Sequence, residues 1–300
     1  MDFREMTYVI AIARHQSVSK AANELYVSQP TLSKFVQNLE KELGQPLFKR
    51  LGKKFVLTYA GERYVEYAKN ILNAKKELDN ELSDIMKYDI GELRIAFPST
   101  RGVYMLPCTL PIFEKLYPRV RLYVHEADSG QLESLLLDGS IDLAFFTLPL
   151  QSPELDYMEI SREEVVLAMS PDHPLAKTGV KRDGCRYPWI DLKTAAGERF
   201  ILQKSDQRTR KTADQLFKNA GISPENILEI RNIQASVQLA ARGYGVTFVG
   251  ETHLKHIPCS PAVFSVGSPC TTTSFVAAFR KGVYMSSYMQ AYIRVVKEFT

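Results

Sequence analysis

VSQPTLSKFVQNLEKELG, residues 27–44, decides the reading of the fold. Ser28 is a good helix N-cap, and Pro30 falls in the first turn, where its missing N–H costs nothing. Leu32, Val36, Leu39 and Leu43 follow at spacings of four, three and four, which makes one buried stripe. Gly44 stands at the usual C′ position, with Pro46 just beyond it. At about 100° per residue, Thr31, Ser33, Lys34, Gln37, Asn38 and Lys41 face away from the stripe, with Gln29 at the leading end. No carboxylate is among them, since Glu40 and Glu42 fall at the flanks of the stripe. Donors, acceptors and positive charge without acid suit the major groove of DNA. An ordinary solvated helix face is the alternative.

Upstream, Phe3, Met6, Val9, Ile10 and Ala13 recur at helical spacing, and Ser17 can cap a short helix whose inner face is Ala21, Ala22 and Leu25. Two short helices, a tight turn and the capped helix make a helix-turn-helix. Downstream, PLFKRLGKKFVLTYAG (46–61) sets Lys49, Arg50, Lys53 and Lys54 around a turn between apolar strands, a β-hairpin wing whose cations can reach phosphate. Residues 1–60 hold nine Lys/Arg and five Asp/Glu, whereas the other 240 hold 29 of each. A basic end on a neutral body suggests a polyanion-binding module joined to something else.

These sixty residues resemble the N-terminal region of LysR-type transcriptional regulators. The shared features are Ala21-Ala22, Ser28-Gln29-Pro30, Leu39-Glu40, Glu42-Leu43-Gly44, Pro46-Leu47-Phe48-x-Arg50 and Leu57-Thr58-x-Ala60-Gly61. The resemblance implies that Ser28, Gln29, Pro30, Thr31, Ser33, Lys34, Gln37, Asn38, Arg50, Lys53 and Lys54 meet DNA. Two positions depart from the family. Phe35 stands where a polar residue is usual, about 60° off the buried stripe, and Lys53 stands near a usual arginine, keeping charge but losing bidentate geometry.

From residue 59 to about 88, Tyr64, Ala68, Ile71, Leu78, Leu82 and Ile85 form a heptad-like seam that needs a partner, most simply the same helix of a second copy. From Gly91 the pattern changes to strands (ELRIAF, VRLYVHE, IDLAFF, SFVAAF) alternating with helices, an α/β arrangement expected to be largely parallel. GELRIAFPST, EADSGQLESLLLDGSIDLAF, DHPLA and LAARGYGVTFV also resemble the family's effector domain. The fold class is therefore α/β with an α-rich N-terminal module. It comprises a winged helix-turn-helix (1–58), a linker dimerisation helix (59–88) and a two-lobed periplasmic-binding-protein-like domain of type 2 (91–300). Lobe I is expected at 91–160 and 268–300, and lobe II at 161–267.

What the resemblance implies for the cleft is Ser99, Thr100 and Arg101 after the first strand, Ser129 opening the second helix, and Thr147 after IDLAFF. Lobe II contributes Gln203, Arg208 of the SDQRTR loop, and Phe248 as an apolar wall. Hydroxyls and free N–H groups at helix N-termini suit an anion, and either arginine could pair a carboxylate. Gly250 replaces a proline common in the family.

The composition, 45% hydrophobic and 24% charged, is that of a soluble globular protein. No apolar run approaches the roughly 20 residues of a membrane span, and the N-terminus lacks a cleavable signal pattern, so a cytoplasmic protein with no membrane partner is expected. Cys108, Cys185, Cys259 and Cys270 lie far apart without a CxxC pair, which argues against a disulfide scaffold or zinc ribbon and leaves a redox pair as the lesser reading. HLKHIPC (253–259) lacks a fourth metal ligand, and the glycines of RGYGVTFVG precede a strand instead of following one. His125 and His173 have no assignable nucleophile, so no enzyme, metal or cofactor is expected. The expected function is a DNA-binding transcriptional regulator controlled by a small anionic metabolite. Its partners are double-stranded DNA, that effector and itself as dimer or tetramer; the resemblance adds contact with RNA polymerase. The alternative is a cytosolic solute-binding protein without gene regulation.

Overall fold

A computed structural model describes residues 2–52, 54–86 and 89–300. The chain divides into two compact units, Met1–Met86 and Lys87–Thr300.

In the first unit, α1 (Phe3–His15) starts with a capping box between Asp2 and Glu5, and α2 (Val18–Glu24) is capped by Ser17. Tyr26 turns the chain with a positive φ of 55°. α3 (Gln29–Leu43) then begins at Ser28, whose side chain accepts the Thr31 N–H, and ends at Gly44 in the left-handed region. Leu32, Val36 and Leu39 are buried with Val9, Ile12, Ala21 and Ala22 in one core. Leu43 departs from the expected stripe: in the last turn it is 41% exposed. Phe35 resolves to the core side, its ring edge-on to Tyr8 at 5.2 Å.

The hairpin β1 (Phe48–Leu51) and β2 (Lys54–Leu57) is antiparallel. Glu40 fixes its root, since Oε1 accepts the N–H groups of Leu47 at 2.7 Å and Phe48 at 3.0 Å. α4 (Tyr59–Ile85) starts where Thr58 both caps the helix and donates to the Pro46 carbonyl at 2.6 Å. Tyr64 and Val65 pack against the unit's own core, whereas Leu78, Leu82 and Ile85 are 55, 47 and 69% exposed. The seam therefore divides: its first part serves its own unit and its last part is open.

The second unit alternates β3 (Gly91–Phe97), α5 (Ser99–Leu116), β4 (Val120–Glu126), α6 (Ser129–Leu137) and β5 (Leu143–Thr147) before the long β6 (Leu155–Met169). After it come β7 (Phe200–Leu202), α7 (Arg208–Ala220), β8 (Ile227–Glu229), α8 (Ile233–Ala241), β9 (Thr247–Gly250), α9 (Glu251–Leu254) and β10 (Ala262–Ser265). β11 (Thr272–Arg280) and α10 (Ser287–Glu298) complete it.

β3 is parallel to β4 and β5, and β7 to β8, but β11, β9 and β10 run antiparallel to their neighbours, so the sheet is mixed where a largely parallel one was expected. The reason is topological. β6 pairs with β11 from Leu155 to Glu164, then with β9 and β10 from Val165 onward. The chain crosses once along β6 and returns before β11, so the two crossings run in opposite directions. Phe97, Phe113, Phe145, Phe275 and Tyr292 fill a core on one side of this change, and Phe200, Phe217 and Phe248 fill one on the other. A fully buried phenylalanine contributes about 1.5–3 kcal/mol by burial, so each lobe has a core of its own.

The return crossing also corrects the cysteine reading. Cys185 and Cys270 are joined as a disulfide with Cα atoms 5.7 Å apart, although 85 residues separate them in sequence. Their proximity is made by the fold, and no local spacing announces it. Cys108 and Cys259 are free.

Gly61 marks the closest approach in the first unit. A Cβ there would overlap the Leu47 carbonyl oxygen and press on the Leu57 side chain, and the Leu47 backbone cannot yield without opening the hairpin root. Gly61→Ala should lower the stability of residues 1–86 by about 1–3 kcal/mol, measured by chemical denaturation.

Candidate functional site

On α3 the residues Gln29, Pro30, Thr31, Lys34, Gln37 and Asn38 are exposed, as is the cap residue Ser28, while Ser33 is half-buried. The Ser28 and Thr31 hydroxyls lie 2.7 Å apart and hold each other at the helix start. Gln29, Ser33 and Gln37 share a shallow groove with Ser17, Arg50, Lys54 and Phe55, so the helix face and the wing cations converge. Lys53 lies outside the described residues. Glu40 also lines this groove, its Oε1 turned to the Leu47 and Phe48 N–H groups, and the exposed Glu24 is tied to Arg14 and His15. Burial works against its ionisation, but the two bases hold its carboxyl below the ordinary range. Its charge is thus kept from repelling a polyanion.

The second unit contains a cleft where the two cores meet. Its walls are Ser99, Thr100 and Arg101 at the start of α5, Asp128 before α6, Phe146 and Thr147 ending β5, Glu163 and Val165 on β6, and Thr273 on β11. From the other side come Gln207, Arg208, Thr209 and Thr212 of α7, Arg231, Asn232 and Ile233 at α8, then Gly250 and His253. The starts of α5 and α7, with Asp128 at the start of α6, therefore border the cleft, and no side chain among the described residues caps those three. Their N–H groups and dipoles make this end of the cleft favourable to negative charge.

Three arginines surround the space, each already paired. Arg101 is 3% exposed, donates to Glu163 Oε1 at 2.5 Å and lies over the Phe275 ring at 4.0 Å. Arg208 is 7% exposed, reaches across to Glu133 and the Pro149 carbonyl, and covers the Phe146 ring at 4.3 Å. Arg231 bridges Asp128 and Asp206 at 2.7 Å each. This revises the expectation that Arg101 or Arg208 awaits an incoming carboxylate, because buried charges demand partners and the chain supplies them. Two atoms remain unserved. Glu163 Oε2 and Arg208 Nε are buried without a hydrogen bond among the described residues, one an acceptor and the other a donor.

Ser99, Thr100, Arg101, Thr147 and Arg208 thus stand together in the cleft, while the Ser129 side chain lies outside the described residues. Gln203 and Phe248 do not line it. Gln203 is 1% exposed with its amide on Ser236 at 3.0 Å, and Phe248 is fully buried between Phe200 and Phe217. Gln203 follows the last residue of β7, and Phe248 lies within β9, whose first three residues are all buried. Glu133, Glu163, Arg231 and His253 were missed. The one local signal was an acid inside the apolar run LESLLL, where Glu133 is 5% exposed. Gly250 leaves the Glu163 carboxylate its room, since a Cβ there would lie 3.1–3.2 Å from it.

Burial disfavours a charged Glu163, but the Arg101 guanidinium more than offsets that and holds its carboxyl below the usual range. His253 goes the other way: burial and Arg101 push it down to about 3. Its neutral ring stands edge-on to Tyr104 at 5.7 Å, while His256 stacks flat on the same ring at 4.0 Å.

The profile described as "Bacterial regulatory helix-turn-helix protein, lysR family" matches residues 3–62, and "LysR substrate binding domain" matches 88–300. A Bacillus subtilis relative, "Uncharacterized HTH-type transcriptional regulator YcgK", is 30% identical over 99% of this chain and 94% of its own. The chain belongs to the LysR family. It is a DNA-binding transcriptional regulator with an effector-binding domain. The regulator is also 30% identical to the "DNA-binding transcriptional dual regulator OxyR" of Escherichia coli K12, over 83% of this chain and 79% of that one. Among solved structures, a full-length OxyR variant from Pseudomonas aeruginosa superposes with a TM-score of 0.75 at 23% identity, covering 100% and 94% of the two chains. CbnR complexed with its target DNA gives 0.63 at 24%, covering both chains fully. At such identity these two establish the shared fold. Among the described residues, no helix is long and apolar enough to cross a membrane.

Glu133→Ala in this LysR regulator should cost about 3–5 kcal/mol in the second unit, because it strands the buried Arg208 charge. Denaturation monitored in that unit measures it. His253 provides a pH signature. Its unfolded pKa is about 6.5, so below that pH the unfolded chain binds a proton that the native ring refuses. Stability should therefore be whole above about pH 6.5 and fall as pH drops toward 3, by up to about 1.4 kcal/mol per pH unit. His253→Asn should flatten the fall between about pH 6.5 and 5, where carboxylates contribute little.

Proposed function

We propose that α3 enters the major groove with Gln29, Thr31, Ser33, Lys34, Gln37 and Asn38 toward base edges and phosphates, and that Ser28 and Pro30 set its leading end. Arg50, Lys53 and Lys54 of the wing supply phosphate contacts. The observation that carries this reading is that Gln29, Ser33 and Gln37 of α3 share one groove with the wing cations Arg50 and Lys54, while the acid in that groove, Glu40, is engaged by the Leu47 and Phe48 N–H groups. Residues 1–58 act as the DNA-binding module. Residues 59–88 pair with the same helix of a second copy through Leu78, Leu82 and Ile85, which are open in the single chain. Two paired copies would address half-sites about one helical turn, roughly 34–36 Å, apart. The regulator works in the cytoplasm, performs no catalysis, and contacts RNA polymerase from the DNA.

In residues 91–300, lobe I (91–160 and 268–300) and lobe II (161–267) close on a small anionic metabolite. Its acidic group meets Ser99, Thr100, Thr147 and the uncapped starts of α5 and α6, including Ser129, with Arg208 Nε as a further donor. Glu163 Oε2 favours an effector that also carries an amine or hydroxyl, because it is an acceptor without a donor. The cross-cleft pairs Arg208–Glu133 and Arg231–Asp128 give the ligand something to bias, since its preference for one lobe arrangement shifts the equilibrium between them.

Operator affinity of the full-length protein should fall steeply between about 50 and 200 mM salt, and the log–log slope should shrink by about one for each phosphate-contacting cation removed in Arg50→Ala and Lys54→Ala. A slope unchanged in the double variant would sink the wing assignment. A panel of small organic acids, with and without amine or hydroxyl groups, should raise the melting temperature. Ser99→Ala with Thr100→Val should abolish that response while leaving operator affinity without ligand intact.

A further inference from the structure

Glu164 is the last residue of β6 to pair with β11, opposite Thr272, before the strand changes partners. It is 2% exposed. Its Oε2 accepts the Arg186 N–H at 3.0 Å, but Oε1 is buried with no hydrogen-bond partner among the described residues. The Arg186 guanidinium does not neutralise it, being turned instead to Glu251. A buried carboxylate oxygen without a partner is costly, and it points to a missing positive group.

Beside it stand the two cysteines brought together by the return crossing. A Glu164 carboxylate oxygen and the sulfurs of Cys185 and Cys270 all lie within 4.8 Å of one another, and both cysteines are half-buried. Two sulfurs and one oxygen form a donor set suited to zinc, which takes thiolates at about 2.3 Å and carboxylates at about 2.0–2.2 Å. We propose that, in the reduced protein, Cys185, Cys270 and Glu164 bind a thiophilic divalent cation of the zinc type.

The chemistry balances in two steps. A dithiol delivers two electrons and two protons to the Cys185–Cys270 bond, giving two thiols while becoming a disulfide itself. The cation then binds both sulfurs as thiolates, releasing their two protons to solvent, and Glu164 Oε1 gives the third bond. Around a tetrahedral ion the sulfurs part to about 3.8 Å, a modest opening for side chains whose Cα atoms are 5.7 Å apart. The fourth position takes water or a small ligand. Bound there, the ion ties the 181–187 loop to β6 and to the turn just before β11. Its three residues are not among those that line the effector cleft, although Glu163 and Val165, on either side of Glu164, are.

The test is cobalt titration of the full-length protein, reduced anaerobically with a phosphine and freed of reductant. One equivalent of cobalt per chain should bind with sulfur-to-cobalt charge-transfer absorption, and zinc should displace it. Cys185→Ser and Cys270→Ser should each lose that absorption, Glu164→Gln should weaken binding by about tenfold or more, and the oxidised protein should bind none. Absence of the absorption in the reduced protein, or its persistence in Cys185→Ser, overturns the proposal. Melting of each metal-free variant checks that it is folded. Should a serine variant fail that check, Glu164→Gln decides alone, with unchanged affinity counting against the site.

Discussion

Only two stretches of chain join the halves of the second unit, and β6 is the continuous one. Ten of its residues, Leu155–Glu164, belong to the sheet shared with β11, and five, Val165–Met169, belong to the sheet shared with β9 and β10. Each half keeps its own aromatic core, so rotation about the change of partners need not break either. What holds a given angle is a short set of contacts: Arg208 to Glu133, Arg231 to Asp128, and the Tyr104 ring against His253 and His256. Those pairs are directional and few, whereas hydrophobic packing is broad and non-directional. The geometry of the cleft thus hangs on a handful of contacts, and a ligand need compete only with them.

The same contacts explain what could be read in advance. α3 was legible because its information is local: a cap, a stripe at helical spacing and a terminal glycine all lie within 18 residues. The hairpin root was only half legible. Its strands and turn are local, but the Glu40 carboxylate that fixes them is seven and eight residues away from its partners. Phe35, ambiguous by angle alone, was settled by Tyr8 on another helix.

In the cleft the hydroxyls at the start of α5 came from the family resemblance, carried by the contiguous run GELRIAFPST. The arginine partners did not, because Glu163 is 62 residues from Arg101 and Glu133 is 75 from Arg208. Gln203 and Phe248 were misplaced for the same reason. The Gln203 amide is taken by Ser236 and the Phe248 ring by Phe200 and Phe217, partners 30 or more residues away that local pattern does not reveal. Cys185 and Cys270 carry no spacing signal, and their neighbour Glu164 reads as an ordinary charge in a strand until its burial is known.

The joint at Thr58 and Gly61 has a mechanical meaning. α4 has 27 residues, which makes it a rod about 40 Å long. Its root is clamped, since Thr58 holds Pro46 and Gly61 rests against the Leu47 carbonyl, next to the residues fixed by Glu40. The rod and α3 therefore turn as one piece. Over that length a tilt of about 5° at the root carries the far end roughly 3.5 Å. With paired far ends, the lever runs in reverse, and a small slip between two rods becomes a change in the angle at which each recognition helix is presented.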